Sequence, residues 1–455
     1  MRLQHRSLHA DVFNTRGLHL AGLWDTEDPR IERDPASGEP TGRVYQGAEL
    51  FRGVIEGATE PELACDVRRA SETLLARGVT TIQDATFTNG PSEWELFQRL
   101  MNRGDLKLRT FLFPGERHWR EMASLRVSGG RIYLGPAKLM LDEATSDPGE
   151  LREAVADARA AGWAVAIHAV SEAEVAIALD ALRSADPRPT LSPSLPRQGG
   201  GGRTLSPSLS PRGGGGSGHL RSLPPYVGEE RTHPLPPCGG GLGRGVLARR
   251  GNRVGAGEPS SPPLPLGEGW GEGVAPRRGP DRIEHGAVIP DALLGDLAAA
   301  HITVVGQPAL VRERGDVYRT EYPSEQHDWL HRARSLLDAG VRYAASSDAP
   351  VTEPDPIRGL IAARTRKTAS GRILGEQEAL STMQALAAFS LWPARAVGAE
   401  QELGRLRPGM LADMVVLDPD VLDAAAAEDV SRPVRATIIE GRVVWQWPGP
   451  RADNA

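Results

Sequence analysis

The chain has 455 residues, 40% of them hydrophobic and 25% charged, with a formal net charge of −6. That is the composition of an ordinary globular protein with room for one large domain and additions, and it excludes a polybasic surface for nucleic acid or anionic membrane. The 52 Gly and 37 Pro are unevenly spread, and their distribution divides the chain.

The opening MRLQHRSLHADVF has no apolar run of signal-peptide length, and no later stretch is long and apolar enough to span a membrane. A cytoplasmic protein is expected. Cys65 and Cys238 stand far apart in unlike surroundings, which indicates neither a disulfide framework nor a zinc knuckle and fits a reducing compartment. Residues 1–60 read as a mixed, Pro-rich subdomain ahead of the first regular strand–helix unit.

From residue 61 the pattern alternates. A helical stretch, Glu62–Arg77, stops at Gly78 and leads into the strand Val79–Thr86 (VTTIQDAT). Leu106–Pro114 (LKLRTFLFP) and Ala137–Glu143 (AKLMLDE) are the next strands. The helix Pro148–Ala161 is opened by Asp147 as N-cap and closed by Gly162. Ala164–Val170 (AVAIHAV) is a strand leading into the helix Glu172–Arg183.

Over 184–279 the character changes. TLSPSL occurs at Thr190–Leu195 and again at Thr204–Leu209, each copy followed by a Gly tract, and PLPP and SPPLPLGEGWGEG come later. Gly and Pro at this density leave too little apolar surface to offset the entropy of ordering, so the stretch reads as a disordered insertion. The alternation resumes over 280–400 with the strands Arg282–Ala287 (RIEHGA), Ile302–Pro308 (ITVVGQP) and Arg342–Val351 (RYAASSDAPV). A late helix opens on a capping box, Ser381 with Gln384. Over 401–455, LGRLRPGMLADMVVLDPD and ATIIEGRVVW read as short strands of an appended β-structure. Seven strand–helix units imply a parallel sheet and an α/β fold, a TIM-like (β/α) barrel with one strand missing.

In such a barrel the chemistry belongs at the C-terminal ends of the strands. Lys138, His168, His285 and Asp348 each interrupt or end an apolar run there, an expensive position without a partner. Singly, each has a plain structural reading: a hydrogen-bonded core histidine, a turn-capping aspartate, a snorkelling lysine. Two imidazoles, a carboxylate and a lysine at equivalent strand ends are together what a hydrolytic divalent site requires.

The same residues carry a resemblance to the amidohydrolase superfamily, in its amidohydrolase-3 branch. IEHG at 283–286, QPA at 307–309, SSDAPV at 346–351 and LWPARAVG at 391–398 follow in that family's order, with GRLRPGMLADMVVLD after them. KLMLDE and AVAIHAV resemble the family's fourth- and fifth-strand motifs, and LHADVFNTRGL its segment between the first two barrel strands. The resemblance implies His168 and His285 as ligands of a divalent metal, zinc above all, in one or two ions. It implies Asp348 as ligand and general base, and Lys138 as the fourth-strand group, open to carboxylation. His9 and Asn14 would lie near the substrate, a small amide or related carbon–nitrogen compound. The C-terminal segment would form part of a β-sandwich; a homo-oligomer is left open.

One departure stands out. The family supplies a His-x-His pair on its first strand, and no His-x-His occurs in this sequence. The resemblance implies that the chain begins beyond that strand. Two readings result: a metal-dependent hydrolase of non-peptide carbon–nitrogen bonds, or a truncated, catalytically inactive relative with an incomplete metal site. Asp316, Tyr318, Arg364 and Arg366, after the last two strands, read as solvated surface rather than substrate contacts.

Overall fold

The computed structural model describes residues 1–4, 10–45, 47–51, 59–125, 130–142, 146–184, 279–422 and 433–448. All but the ends of the expected insertion, and His9 with it, lie outside the described residues.

The subdomain before residue 61 is a sheet. β1 (Arg2–Gln4), β2 (Ala10–Phe13), β3 (Ile31–Arg33) and β4 (Pro40–Tyr45) pair antiparallel in the order β1-β2-β4-β3. Period-2 alternation sends Val44 inward while Arg43 and Tyr45 face out. Val44 packs with Phe13, Leu18, Leu23 and Ile31 in a small core of its own.

The alternating part folds as parallel strands with helices between. β5 (Thr81–Asp84), β6 (Arg109–Leu112) and β7 (Ile132–Leu134) form one parallel sheet in that order. β8 (Ala137–Leu139), β9 (Val165–Ala169), β10 (Arg282–His285), β11 (Thr303–Gly306) and β12 (Arg342–Ala345) form a second, ordered β12-β11-β10-β9-β8. β7, which sequence patterning did not reveal, is parted from β8 only by Gly135-Pro136. Gly135 N donates to Leu112 O (2.9 Å) and Lys138 N to Pro114 O (2.8 Å), so both halves run beside the β6 segment. They are one strand with a kink. A side chain at Gly135 would put its Cβ 2.2 Å from the Phe113 ring, which explains the glycine there. Seven strand positions thus follow in chain order, with β5 and β12 at the outer edges; among the described residues no strand joins those edges.

The helices sit where the caps put them. Asp147 accepts from Gly149 N and Glu150 N at the start of Pro148–Ala160, and the Ser381–Gln384 box opens Thr382–Ala388. Their apolar faces meet the outward residues of the strands: Val165 and Ile167 pack with Leu151, Val155, Val175 and Leu179. The chain ends in an antiparallel sheet, β13 (Met414–Leu417), β14 (Val434–Ile439) and β15 (Arg442–Gln446), turned at Glu440-Gly441 with φ of 54° and 76°.

One expectation is corrected, and Cys238 lies outside the described residues. Arg366 is not solvated surface: it is 1% exposed and donates to the carbonyls of Leu330, His331 and Leu374. Asp316 is engaged as well, accepting from Thr368 and Ser370. Among the described residues no helix is long and apolar enough to cross a membrane.

Candidate active site

Neighbouring parallel strands bring the sequence-distant candidates together. β9 carries His168 at its penultimate position, and β10 ends on His285; the register sets His168 beside Glu284 and Ala169 beside His285. Asp348 follows the end of β12 by three residues, and Lys138 lies within β8. His285 and Asp348 both adopt left-handed backbone, with φ of 77° and 51°. Non-glycine residues are rare in that region and cluster where function requires them. At the first of these turns Gly286 N donates back to Ala169 O (2.8 Å).

The two imidazoles meet edge to face. His285 Nε2 lies 2.9 Å from His168 Nδ1, and the ring planes cross at 71°. The other nitrogen of His285, Nδ1, lies 3.2 Å from Gln307 Oε1 and 3.8 Å from Asp348 Oδ2. Gln307 is itself buried, and its Nε2 donates to Val305 O (3.1 Å) and Ser346 Oγ (3.0 Å).

Beneath this group lies a buried charged layer. In β10, Arg282 and Glu284 alternate with Ile283, so both charges share a face opposite the apolar one. Arg282 grips Glu284 with two bonds, 2.5 and 3.0 Å, and donates to Gln83 Oε1 (2.7 Å) from a third nitrogen. Its guanidinium stands 5.0 Å from the Phe113 ring centre. Burial pushes the Lys138 ammonium below the usual lysine range, with Glu284 and Asp348 opposing the shift and Arg282 adding to it. Burial acts to raise Glu284, but Arg282 and Lys138 outweigh it and hold the carboxylate low. Burial pushes the Asp348 carboxyl up to about 6, against the attraction of Lys138 and with the repulsion of Glu284.

The expected site residues therefore divide. His168, His285 and Asp348 are in sequence of contact, and Lys138 is coupled to Asp348 through charge. Asp348 faces Nδ1 of His285 rather than the Nε2 that faces His168. Among the described residues no three His, Cys, Asp or Glu side chains are grouped so as to hold a metal ion. Asn14 is occupied elsewhere: it caps the helix Thr15–Leu20 by accepting from Gly17 N (2.9 Å), and it takes a second bond from the chain's amino terminus (2.9 Å). An open hollow of about 760 Å³, lined by Trp24, Asp28, Arg33 and Glu39 among others, belongs to the N-terminal sheet and includes none of the candidates. Gln307, Glu284 and Arg282 were given no task by sequence reasoning. The signal that could have found them is the period-2 placement of charge in RIEH and the polar residue closing ITVVGQ.

Over 169 residues the chain is 31% identical to N-substituted formamide deformylase of Arthrobacter pascens, a match covering 37% of this chain and 31% of that protein, under a third of its length. It is 24% identical over 487 residues to the protein LONG AFTER FAR-RED 3 of Arabidopsis thaliana, covering 96% of this chain and 67% of that one. Its fold is similar to that of an uncharacterized metal-dependent hydrolase from Pyrococcus horikoshii, at 19% identity and a TM-score of 0.61, covering 94% of this chain and 73% of the other. A model of the Amidohydrolase family, of the amidohydrolase-3 type, matches residues 1–203 and 271–445, so that both halves of the parallel array and the sheets at either end fall within it; the chain belongs to that family.

Proposed function

We propose that the chain is a metal-dependent hydrolase of carbon–nitrogen bonds other than peptide bonds, acting on a small amide. The observation that carries this reading is the convergence of His168 Nδ1 and His285 Nε2 to 2.9 Å at the C-terminal ends of adjacent strands, with Asp348 on the other side of the His285 ring. The donor set suits a borderline ion such as zinc. Two nitrogens bound to one zinc at about 2.0–2.1 Å in tetrahedral geometry stand roughly 3.3 Å apart, a small adjustment from the distance here. The family and the fold of a metal-dependent hydrolase support the same assignment.

When bound, such an ion supplies Lewis acidity toward water and the substrate carbonyl. His168 and His285 would hold it. Asp348 would take the water proton at Oδ2 and return it to the leaving nitrogen. Lys138, kept in reach of Asp348's charge, would orient that carboxylate or the substrate. His9 and Asn14 keep the part the family resemblance gives them, lying toward the substrate. In this reading the strand array is part of a barrel, the C-terminal sheet is part of a β-sandwich, and the protein works in the cytoplasm.

A second reading, a family member without a competent metal site, draws on one observation: Asp348 faces the nitrogen of His285 that points away from His168. Metal analysis of the purified chain, with turnover assays on N-formyl and N-acyl amines, separates the two. The hydrolase reading expects bound metal and turnover lost in Asp348→Asn; full activity in that variant sinks it.

A further inference from the structure

The QPA segment contributes its glutamine to the site, and the hydrogen bonds around that side chain fix more than its own position. We infer that Gln307 is a positioning residue that sets the tautomer of His285, keeping the proton on Nδ1 and turning the bare Nε2 toward His168. Its purpose rests on the metal-centre reading; its geometry does not.

A glutamine amide has one acceptor oxygen and one donor nitrogen at the same fork, and only their surroundings say which is which. Here one neighbour cannot be ambiguous. Val305 O is a backbone carbonyl and only accepts, so the amide group 3.1 Å from it must be the nitrogen. The reverse orientation would set two oxygens face to face at that distance with no proton between them. Ser346 Oγ, 3.0 Å from the same nitrogen, takes its second N–H. Oε1 is thereby committed to His285, where at 3.2 Å it can only accept. The imidazole must therefore donate from Nδ1, and in the neutral ring Nε2 is left with its lone pair. Gln307 is 1% exposed, so water does not compete for either end of the amide.

The choice of an amide matters for Asp348. Its Oδ2, at 3.8 Å, is the second acceptor near the same Nδ1. With Gln307 nearer, the Nδ1 proton goes to a neutral oxygen and the carboxylate is not tied up as a histidine partner. Gln307 thus serves both flanking groups: it presents His285 as a ligand and leaves Asp348 for proton transfer.

The test reads the tautomer directly, on the full chain freed of metal. Histidine labelled with ¹⁵N gives long-range ¹H–¹⁵N correlations that distinguish a protonated ring nitrogen from a bare one, and His285→Asn identifies the His285 signals. The expected result is Nδ1 protonated and Nε2 bare in the wild type, with Gln307→Met losing that pattern while its circular dichroism stays unchanged. Ser346→Ala, in which Val305 O still orients the amide, should keep the wild-type tautomer. Zinc affinity measured by titration with zinc chloride at fixed pH should fall about 10–100-fold in Gln307→Met. A wild-type His285 protonated on Nε2 overturns the inference with no variant needed, as does an unchanged tautomer in Gln307→Met. Failure of the wild type to bind zinc counts against the hydrolase reading alone and leaves the tautomer result standing.

Discussion

Arg109 Nε donates to Asp413 Oδ2 at 3.1 Å between side chains only 2% and 4% exposed, tying the parallel strand β6 to the residue that precedes β13. Arg109 also donates to Tyr133 Oη (2.9 Å) and Glu440 Oε1 (3.3 Å), and Asp413 accepts from Glu440 N (2.9 Å). The C-terminal sheet is thus held to the array by a buried charge with every neighbour engaged. Removing one partner strands the other in a dry place. Arg109→Met should lower stability by about 3–5 kcal/mol, read as a shift of the denaturant midpoint. Arg109→Met with Asp413→Asn should recover part of that loss, because no buried charge is then left unpaired: the Glu440 carboxylate is half exposed and solvated. A double variant as unstable as the single would refute this account of the link.

A pH dependence follows from His331, which is 3% exposed with its backbone at φ 45°. Burial pushes its imidazole down to about 3, with the positive charges of Arg366 and Arg314 adding to the shift. The folded state therefore refuses a proton that the unfolded chain accepts below about 6.5. Stability from this group is complete above that pH and is lost as pH falls toward 3, by at most on the order of 5 kcal/mol. Thermal midpoints between pH 7.5 and 4.5 should fall less steeply in His331→Asn, whose side chain does not titrate and tolerates the left-handed backbone. Parallel slopes in the two proteins would show that other groups govern the acid limb.

Zinc provides a check on the metal centre that does not depend on finding a substrate. A ligand of the folded state at a hundredfold excess over its Kd stabilises by about 2.7 kcal/mol. In a chain of this size that raises the melting midpoint by a few degrees, and a chelator should reverse it. His285→Asn removes one of the two converging nitrogens and should abolish the rise. An equal rise in that variant would place the zinc elsewhere on the protein.

Turnover should respond to Asp348 more sharply than folding does. Asp348→Asn keeps the shape and the tolerance for φ of 51° but takes away the proton acceptor. The expected loss is roughly 10²–10⁴-fold in kcat on any N-acyl amine the wild type hydrolyses. Near-ultraviolet circular dichroism should match the wild type. A loss that comes with a collapsed spectrum would mean that Asp348 serves the turn and not the chemistry.

How much of this was legible beforehand depended on whether each signal was local. The strands that carry His168 and His285, and the one that leads to Asp348, announced themselves because a polar residue broke or followed an apolar run between helices with readable caps. Their convergence could be reasoned from parallel pairing alone. β7 escaped because its three residues lie between Gly130 and the Gly135-Pro136 break, too short for any period to register. Arg282 and Glu284 escaped for a different reason: the period-2 charge in RIEH is local, but a partner that satisfies it, Gln83, is 199 residues away in the chain, so the pattern gives the face and not the partner. Asn14 carried a second local signal: N-T-R-G is a fair N-cap sequence, and the capping bond is one the structure shows it making.

The kink at Gly135 offers the last test, because it sets where Lys138 falls. A Cβ on residue 135 would meet two atoms of the Phe113 ring at 2.2 and 2.4 Å, and that ring has no exposed surface through which to retreat. The same ring lies 5.0 Å from the Arg282 guanidinium that holds Glu284. Gly135→Ala must therefore either shift the ring, and its contact with Arg282, or straighten the strand and move Lys138. Either costs about 1–3 kcal/mol. Phe113→Leu in the same chain makes room for the methyl group and should return part of the stability, although it forfeits the ring's contact with Arg282. The comparison is made by chemical unfolding of the two single variants and the double. Strict additivity would mean that the alanine and the ring never meet, and that the glycine is required for some reason other than the close approach of Phe113.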